Sequence, residues 1–227
     1  MYKIAAEQLP CVFHVSARTV STHALNIFGD HSDVMACRQT GFAMLCEGNV
    51  QEVMDLSPVA HLAALSGKVP FINFFDGFRT SHEIQKIAVW DYKDLADMCD
   101  MDAVKAFREH ALNPEHPAMR GSHENGDTFF QHREACNQYY DALPEVVEKY
   151  MGKINEKLGT DYKLFNYYGA PDADRVIIAM GSICDVAEEV IDYLNAHGEK
   201  VGLIKVRLYR PFKAERLIEA IPATAKK

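Results

Sequence analysis

The pattern of apolar and polar residues predicts alternating strands and helices in the first third of the chain. Residues 69–75 are an apolar run that is typical of a strand buried on both faces of a parallel sheet, and residues 11–15 are a shorter apolar strand candidate. Between them, residues 50–65 have apolar side chains at helical spacing. Pro58 lies inside this stretch, so we expect it to kink the helix or divide it in two.

Two shorter elements complete the pattern between the first strand and the long helix. Val20, Leu25 and Phe28 recur at roughly helical spacing and predict a helix, while residues 34–36 predict a short strand. The resulting order is strand, helix, strand, helix, strand. This order predicts an α/β protein with a doubly wound parallel sheet.

The remainder of the chain divides into a helical part and a second α/β unit. Residues 90–112 predict helix with a break near Asp100, residues 113–141 an excursion over the surface, and residues 144–158 a helix. The second unit then runs strand, helix, strand, helix, over residues 175–180, 182–197, 200–206 and 213–221. We therefore predict two partial domains, 1–160 and 161–227.

Composition narrows the possible functions. The formal net charge is −8, from 24 Lys and Arg against 32 Asp and Glu, and no basic stripe is present, so nucleic-acid binding is not expected. No apolar run approaches the roughly 20 residues needed to cross a bilayer, so no membrane association is expected either. The six cysteines are scattered and the ten histidines lack ligand spacing, so no metal site is expected in this chain.

A cluster of polar residues follows the second apolar run. Asp76 and Gly77 end the strand, and Arg79 to Glu83 are all polar. The carboxyl ends of strands in open α/β sheets are where ligands bind, so this cluster is a candidate site. The alternative is structural: Asp76 and Gly77 form a turn, and Thr80 or Ser81 caps a helix.

Two other positions carry candidate chemistry. Gly181 and Ser182 lie between a strand and a helix, where backbone N–H groups could bind an anion, or where Ser182 could simply cap the helix. Arg18 follows the first predicted strand, and its guanidinium could bind a carboxylate through two hydrogen bonds. The alternative for Arg18 is an ordinary surface ion pair.

Long segments resemble one enzyme family. HVSARTVSTHALNIFGDHSDVMACRQTGFAML at residues 14–45 and VPFINFFDGFRTSHEIQKI at residues 69–87 closely resemble pyruvate:ferredoxin (flavodoxin) oxidoreductase. NPEHPAMRG at 113–121, YKLFNYYGAPDADRVIIAMGS at 162–182 and GLIKVRLYRPF at 202–212 are similar to the same family. The resemblance covers essentially the whole chain, in order.

The resemblance implies a fold and an activity. The first domain would be a thiamine-diphosphate-binding fold of the pyrimidine type, truncated at its N-terminus, and residues 161–227 would open a domain like the carboxy-terminal domain of transketolases. The enzyme would oxidatively decarboxylate pyruvate to acetyl-CoA and CO2, using coenzyme A and passing electrons to ferredoxin or flavodoxin. Arg18 matches the arginine of the family's Ser-Ala-Arg-Thr element, which binds the substrate carboxylate. No residue of this chain is assigned to cofactor binding.

The resemblance also implies parts that this chain does not contain. Mg2+ and [4Fe-4S] clusters belong to the intact enzyme, which would be a homodimer, and neither would be ligated by this chain. We therefore interpret the chain as an internal fragment that is inactive alone. Localisation would be the cytoplasm, or a hydrogenosome or related organelle of an anaerobic protist. Two alternatives remain open: the same fold acting on another 2-oxo acid or with NADP as acceptor, and a non-catalytic scaffold or assembly module.

Overall fold

Hydrogen bonding divides the strands between two sheets in the computed structural model, which describes residues 1–226. Up to residue 158 the elements are α1 (Tyr2–Ala6), β1 (Val12–Ala17), α2 (Ser32–Ala36), β2 (Ala43–Glu47), α3 (Val50–Gly67), β3 (Phe71–Asp76), a short 3-10 helix (Thr80–His82), α4 (Tyr92–Met98), α5 (Met101–Glu109), α6 (Gly126–Ala135) and α7 (Asn137–Leu158). After it they are β4 (Phe165–Gly169), β5 (Arg175–Ala179), α8 (Ile183–Ala196), β6 (Val201–Val206), β7 (Leu208–Arg210) and α9 (Ala214–Ala220).

The first sheet has the strand order β1-β3-β2-β7. β3 is parallel to both β1 and β2, whereas β7 is antiparallel to β2. The carboxyl ends of the three parallel strands therefore meet at one edge, where Ala17 pairs with Asp76 and Glu47 with Phe75. The predicted parallel sheet is confirmed.

The main core lies between one face of this sheet and two long helices. Leu45 and Phe71 from the sheet join Val59 of α3 and Val147 and Tyr150 of α7 in one buried cluster. A smaller cluster on the opposite face packs β-strand side chains against α1 and α2. β2 and β3 are apolar because both of their faces are covered, whereas Phe13 and His14 of the edge strand β1 stay exposed.

The second sheet has the order β4-β6-β5, with β5 parallel to β6 and β4 antiparallel to it. The strands and helices predicted between residues 175 and 221 are confirmed as β5, α8, β6 and α9, and β4 is an additional strand. The division at residue 160 stays a prediction, and β7 pairs with β2 across it. Within residues 1–226, no helix is both long and apolar enough to cross a membrane.

The helix predicted around residues 20–28 is wrong. This segment is irregular, and Val20, Leu25 and Phe28 are 40%, 69% and 59% exposed. A short amphipathic helix is stabilised mainly by packing of its apolar face, and here Val20 and Leu25 stay exposed while Phe28 contacts the Phe78 ring edge-on at 4.9 Å. Side chains satisfy the backbone instead: the Val20 N–H donates to Ser32 Oγ at 3.0 Å.

The strand predicted at residues 34–36 is also wrong. These residues belong to α2, whose first turn is favoured by acidic side chains: Asp30 Oδ1 accepts from the Ser32 N–H, and Asp33 Oδ1 from the Val34 N–H. The strand lies later, at β2, whose five residues are all buried. The apolar run at residues 43–46 is a better strand candidate than residues 34–36.

The helical predictions hold with changed bounds. Pro58 lies inside an unbroken α3 and does not divide it. Asp100 caps α5 by accepting from the Ala103 N–H at 3.0 Å, which confirms the helix break predicted near Asp100. The surface excursion is partly wrong, because α6 and the first turns of α7 occupy residues 126–141. Asp127 in the first turn of α6 and Arg133 in its last complement the helix dipole.

A buried ion pair joins the second unit to the first. Glu52, in the first turn of α3, accepts hydrogen bonds from both terminal nitrogens of Arg207 at 2.7 and 2.8 Å. The two side chains are only 10% and 6% exposed. Arg207 precedes β7, so the pair fixes the chain where it enters the first sheet.

We expect Arg207→Met to destabilise the chain by about 3–5 kcal/mol, because it leaves the Glu52 charge buried without a partner. The double variant Glu52→Gln/Arg207→Met removes both charges and should recover part of this loss. Chemical denaturation of the wild type, both single variants and the double variant measures the coupling. A double variant no more stable than Arg207→Met alone contradicts the expectation.

Candidate functional site

Arg18 stands at the carboxyl edge of the sheet, as predicted. It follows the last residue of β1, and its backbone N–H donates to Asp33 Oδ2 at 2.9 Å, which fixes the start of the loop. The Nε of Arg18 and the Oγ of Ser16 are both buried and have no hydrogen-bond partner among residues 1–226. Unpaired buried polar atoms are rare in folded proteins, so these two fit a polar ligand at this edge.

Gly77 holds the Arg18 side chain in place by lacking one of its own. A Cβ at Gly77 would lie 2.5 Å from Arg18 Cγ and 2.7 Å from the Ala17 carbonyl oxygen. The Gly77 N–H also donates to that carbonyl at 2.7 Å. The ends of β1 and β3 are therefore in direct contact, and Arg18 packs over Gly77.

Asp76 is the centre of the polar junction beside Arg18. Its carboxylate accepts from the backbone N–H of Ser182 at 2.6 Å and is hydrogen-bonded to His31 Nε2. Burial alone would raise the pKa of Asp76, but the hydrogen bonds from His31 and Ser182 outweigh burial and lower it. Asp76 is therefore an ionised, oriented carboxylate.

The two alternatives for Gly181 and Ser182 both apply in part. Ser182 is the N-cap residue of α8, but its side chain makes no capping hydrogen bond. The anion at this helix terminus is the carboxylate of Asp76. Gly181 has φ +85°, and a Cβ there would lie 2.9 Å from Asp76 Oδ2, so glycine permits the contact.

The rest of the polar cluster is a turn without a capped α-helix. Residues 80–82 form one turn of 3-10 helix that has no side-chain cap, so the predicted cap by Thr80 or Ser81 is wrong. The Ser81 hydroxyl instead accepts from the Phe78 N–H at 2.9 Å. Arg79 pairs with Glu83 at the surface. His31, far away in sequence, completes the junction, and it comes close to Arg18 because Gly29 forms an antiparallel bridge with Arg18.

Glu47 is a buried acid that the sequence analysis missed. It ends β2 with no exposed surface, and among residues 1–226 neither of its carboxyl oxygens has a hydrogen-bond partner, nor does Oδ1 of Asn73. Burial and the neighbouring Glu52 charge raise its pKa well above the usual range, although Arg207 and the Asn73 amide oppose the shift. A lone acid inside an apolar run was the available signal.

We expect Glu47→Gln to change how stability depends on pH. In the wild type, Glu47 ionises in the unfolded chain above about pH 4.5 while remaining neutral when folded, so its contribution falls as pH rises towards the folded pKa. The slope reaches about 1.4 kcal/mol per pH unit. Glutamine removes this loss, so the variant should gain relative stability from pH 5 to pH 7.

Denaturation with urea at several pH values measures this difference. Glu109→Gln, at a side chain that is 67% exposed, is the matched control and should follow the wild type. A constant stability difference between Glu47→Gln and wild type across this range is incompatible with a neutral buried acid.

Comparison with known protein families identifies the family of the chain. The model for the thiamine diphosphate-binding domain of pyruvate flavodoxin/ferredoxin oxidoreductases matches residues 1–152. The model for core domain II of pyruvate:ferredoxin oxidoreductase matches residues 173–226. The chain therefore belongs to the pyruvate flavodoxin/ferredoxin oxidoreductase family, which confirms the resemblance and the thiamine-diphosphate-binding fold.

Individual relatives support the same family assignment. The chain is 63% identical over 222 residues to a pyruvate-flavodoxin oxidoreductase of Enterobacter agglomerans and 62% identical over 227 residues to a pyruvate:ferredoxin oxidoreductase of Moorella thermoacetica. These matches cover 98% and 100% of this chain but 19% of each relative. A pyruvate dehydrogenase [NADP(+)] of Cryptosporidium parvum is 50% identical over 228 residues, which cover 100% of this chain and 12% of that protein.

A solved structure shares the fold. The 2-oxoglutarate:ferredoxin oxidoreductase of Magnetococcus marinus, solved with 2-oxoglutarate, coenzyme A and succinyl-CoA bound, superposes with a TM-score of 0.64 at 20% identity. The match covers 100% of this chain and 42% of the other. At this identity it supports the α/β architecture alone.

Proposed function

We propose that the chain is part of an oxidoreductase that converts pyruvate and coenzyme A to acetyl-CoA and CO2. The two electrons released pass to ferredoxin or flavodoxin. The names of relatives at 63% and 62% identity support this assignment. The proposal for the whole enzyme includes thiamine diphosphate, Mg2+ and [4Fe-4S] clusters, a homodimer, and a cytoplasmic location.

Arg18 is the residue of this chain to which the proposal assigns substrate binding. Its buried Nε, which has no hydrogen-bond partner among residues 1–226, lies at the carboxyl edge of a parallel sheet, two residues after Ser16, whose hydroxyl is likewise unpartnered. In the proposed role the guanidinium binds the pyruvate carboxylate and orients the keto carbon. Thiamine diphosphate, when bound, supplies the electron sink for decarboxylation.

The role of Arg18 can be tested in a chimaera in which this chain replaces the matching segment of the Moorella relative. A hydrogen bond to a charged group is worth about 1.5–3 kcal/mol, so Arg18→Ala should lower kcat/KM for pyruvate by about tenfold or more. Arg18→Lys keeps the charge but not the paired donors and should recover only part of the loss. Pyruvate-dependent reduction of ferredoxin is the assay.

Arg175→Ala is the control, because Arg175 is exposed on the second sheet, where it pairs with Asp174 and Glu199. It should leave kcat/KM unchanged. Equal activity of Arg18→Ala and the parent chimaera would refute the assigned role. A folded but inactive parent chimaera would favour the scaffold alternative.

Gly77→Ala tests the same site without altering its charge. The added Cβ would overlap Arg18 Cγ, so the guanidinium should be displaced and KM for pyruvate should rise. Gly152→Ala, where an added Cβ meets nothing within 4 Å, is the matched glycine control. An unchanged KM in Gly77→Ala contradicts a binding role for Arg18.

The electron acceptor has a second candidate. The Cryptosporidium relative is named for NADP, and its 50% identity shows that a similar segment occurs in an enzyme with that acceptor. Comparing ferredoxin and NADP as acceptors for the enzyme that contains this chain would decide between them.

A further inference from the structure

Two histidines far apart in sequence meet at the edge strand of the first sheet, on the face that α3 covers. His14 lies on β1 and His61 on α3, and their Nε2 atoms are 2.9 Å apart. Both residues are exposed, and the pair lies at the rim of a largely apolar groove of about 880 Å³. Neither takes part in the proposed pyruvate chemistry.

The local environment keeps both rings neutral. Partial burial lowers the pKa of His14, and burial together with the His14 charge lowers that of His61. Neutral imidazole is the form that binds metal ions. At neutral pH the pair therefore offers two uncharged rings whose Nε2 atoms face each other.

The spacing of the two nitrogens is close to that of ligands on one metal ion. With Zn–N bonds of about 2.0–2.1 Å, two nitrogens on a tetrahedral ion lie about 3.3 Å apart. The observed separation is 2.9 Å, so a small rotation of two exposed rings brings the nitrogens to ligand distance. The remaining positions on the ion open to solvent and to the groove.

Asn73 supplies a second, independent observation. This fully buried residue donates from Nδ2 to His14 Nδ1 at 3.1 Å and to Ser57 Oγ at 3.0 Å. Its Oδ1 accepts no hydrogen bond from any donor among residues 1–226. In this arrangement His14 carries its proton on Nε2. Rotating the amide by half a turn lets Oδ1 accept from both His14 Nδ1–H and Ser57. That arrangement frees Nε2 of His14 as a ligand and satisfies the orphaned oxygen.

We propose that His14 and His61 form a binding site for a divalent first-row transition metal of the zinc type, with Asn73 orienting the His14 ring. Imidazole ligands favour this class over Mg2+ and Ca2+. No third His, Cys, Asp or Glu of residues 1–226 joins the pair, so water or an external ligand completes the coordination. Binding forms two metal–nitrogen bonds, displaces metal-bound water and shifts the His14 proton from Nε2 to Nδ1.

The test is a titration of the 227-residue chain with Zn2+, followed through the 15N resonances of its imidazole rings. One equivalent should shift the Nε2 resonances of His14 and His61 together and leave the other rings unchanged. Reading the ring nitrogens separates this site from binding by the cysteines. Calorimetry should show affinity falling at least tenfold in His14→Ala and in His61→Ala, because the second ligand no longer binds intramolecularly.

His110→Ala, at an exposed histidine at the end of α5, is the control and should bind like the wild type. His61→Asn provides a second variant that keeps a polar side chain at the surface. Thermal melts identify any variant that loses its fold. Perturbation of only one ring at one equivalent, or equal affinity in the wild type and both alanine variants, would show that the pair only shares a proton.

Discussion

The buried pair of Glu52 and Arg207 is the interaction on which the architecture depends. It joins the first turn of α3 to the residue before β7, and β7 then adds to the first sheet beside β2. Because the pair is desolvated, its charges need further partners: the Gly48 N–H donates to Glu52 at 2.7 Å, and Arg207 Nε donates to Asn166 Oδ1 at 2.8 Å. The second unit is therefore fixed at the carboxyl edge of the first sheet.

This placement decides which part of that edge can bind a ligand. Asp76 occupies the N-terminus of α8, so the anion site that a strand-to-helix turn offers is already filled from within the chain. Asn49 donates to Asp185 nearby, which further covers the ends of β2 and β3. Among residues 1–226, unpaired buried polar atoms remain at the end of β1, on Ser16 and Arg18, and at the end of β2, on Glu47. The end of β3 is thus occupied by contacts within the chain, whereas the ends of β1 and β2 keep groups that could bind a ligand.

The sequence predicted the parallel sheet from its apolar runs, of which β3 is the clearest, because a run buried on both faces needs no long-range information. It placed Arg18 at the carboxyl edge because a residue that follows a strand of a parallel sheet lies there. It failed at residues 20–28, where the apolar side chains at helical spacing stay largely exposed, and it did not predict β7, whose partner β2 lies far earlier in the chain. His31 and the His14–His61 pair were missed because each contact joins residues at least 45 positions apart.

The polar residues within the apolar strands lie in two neighbouring rows on one face of the first sheet. His14, Asn73 and Leu45 lie side by side across β1, β3 and β2, and Ser16, Phe75 and Glu47 form the next row on the same face. The buried groups of these rows lose water, so each needs a partner from a neighbouring strand or from α3. Asn73 has a partner on each, because its amide nitrogen donates to His14 on β1 and to Ser57 on α3. The polar row is thus tied to the helix that covers it as well as to the edge strand beside it.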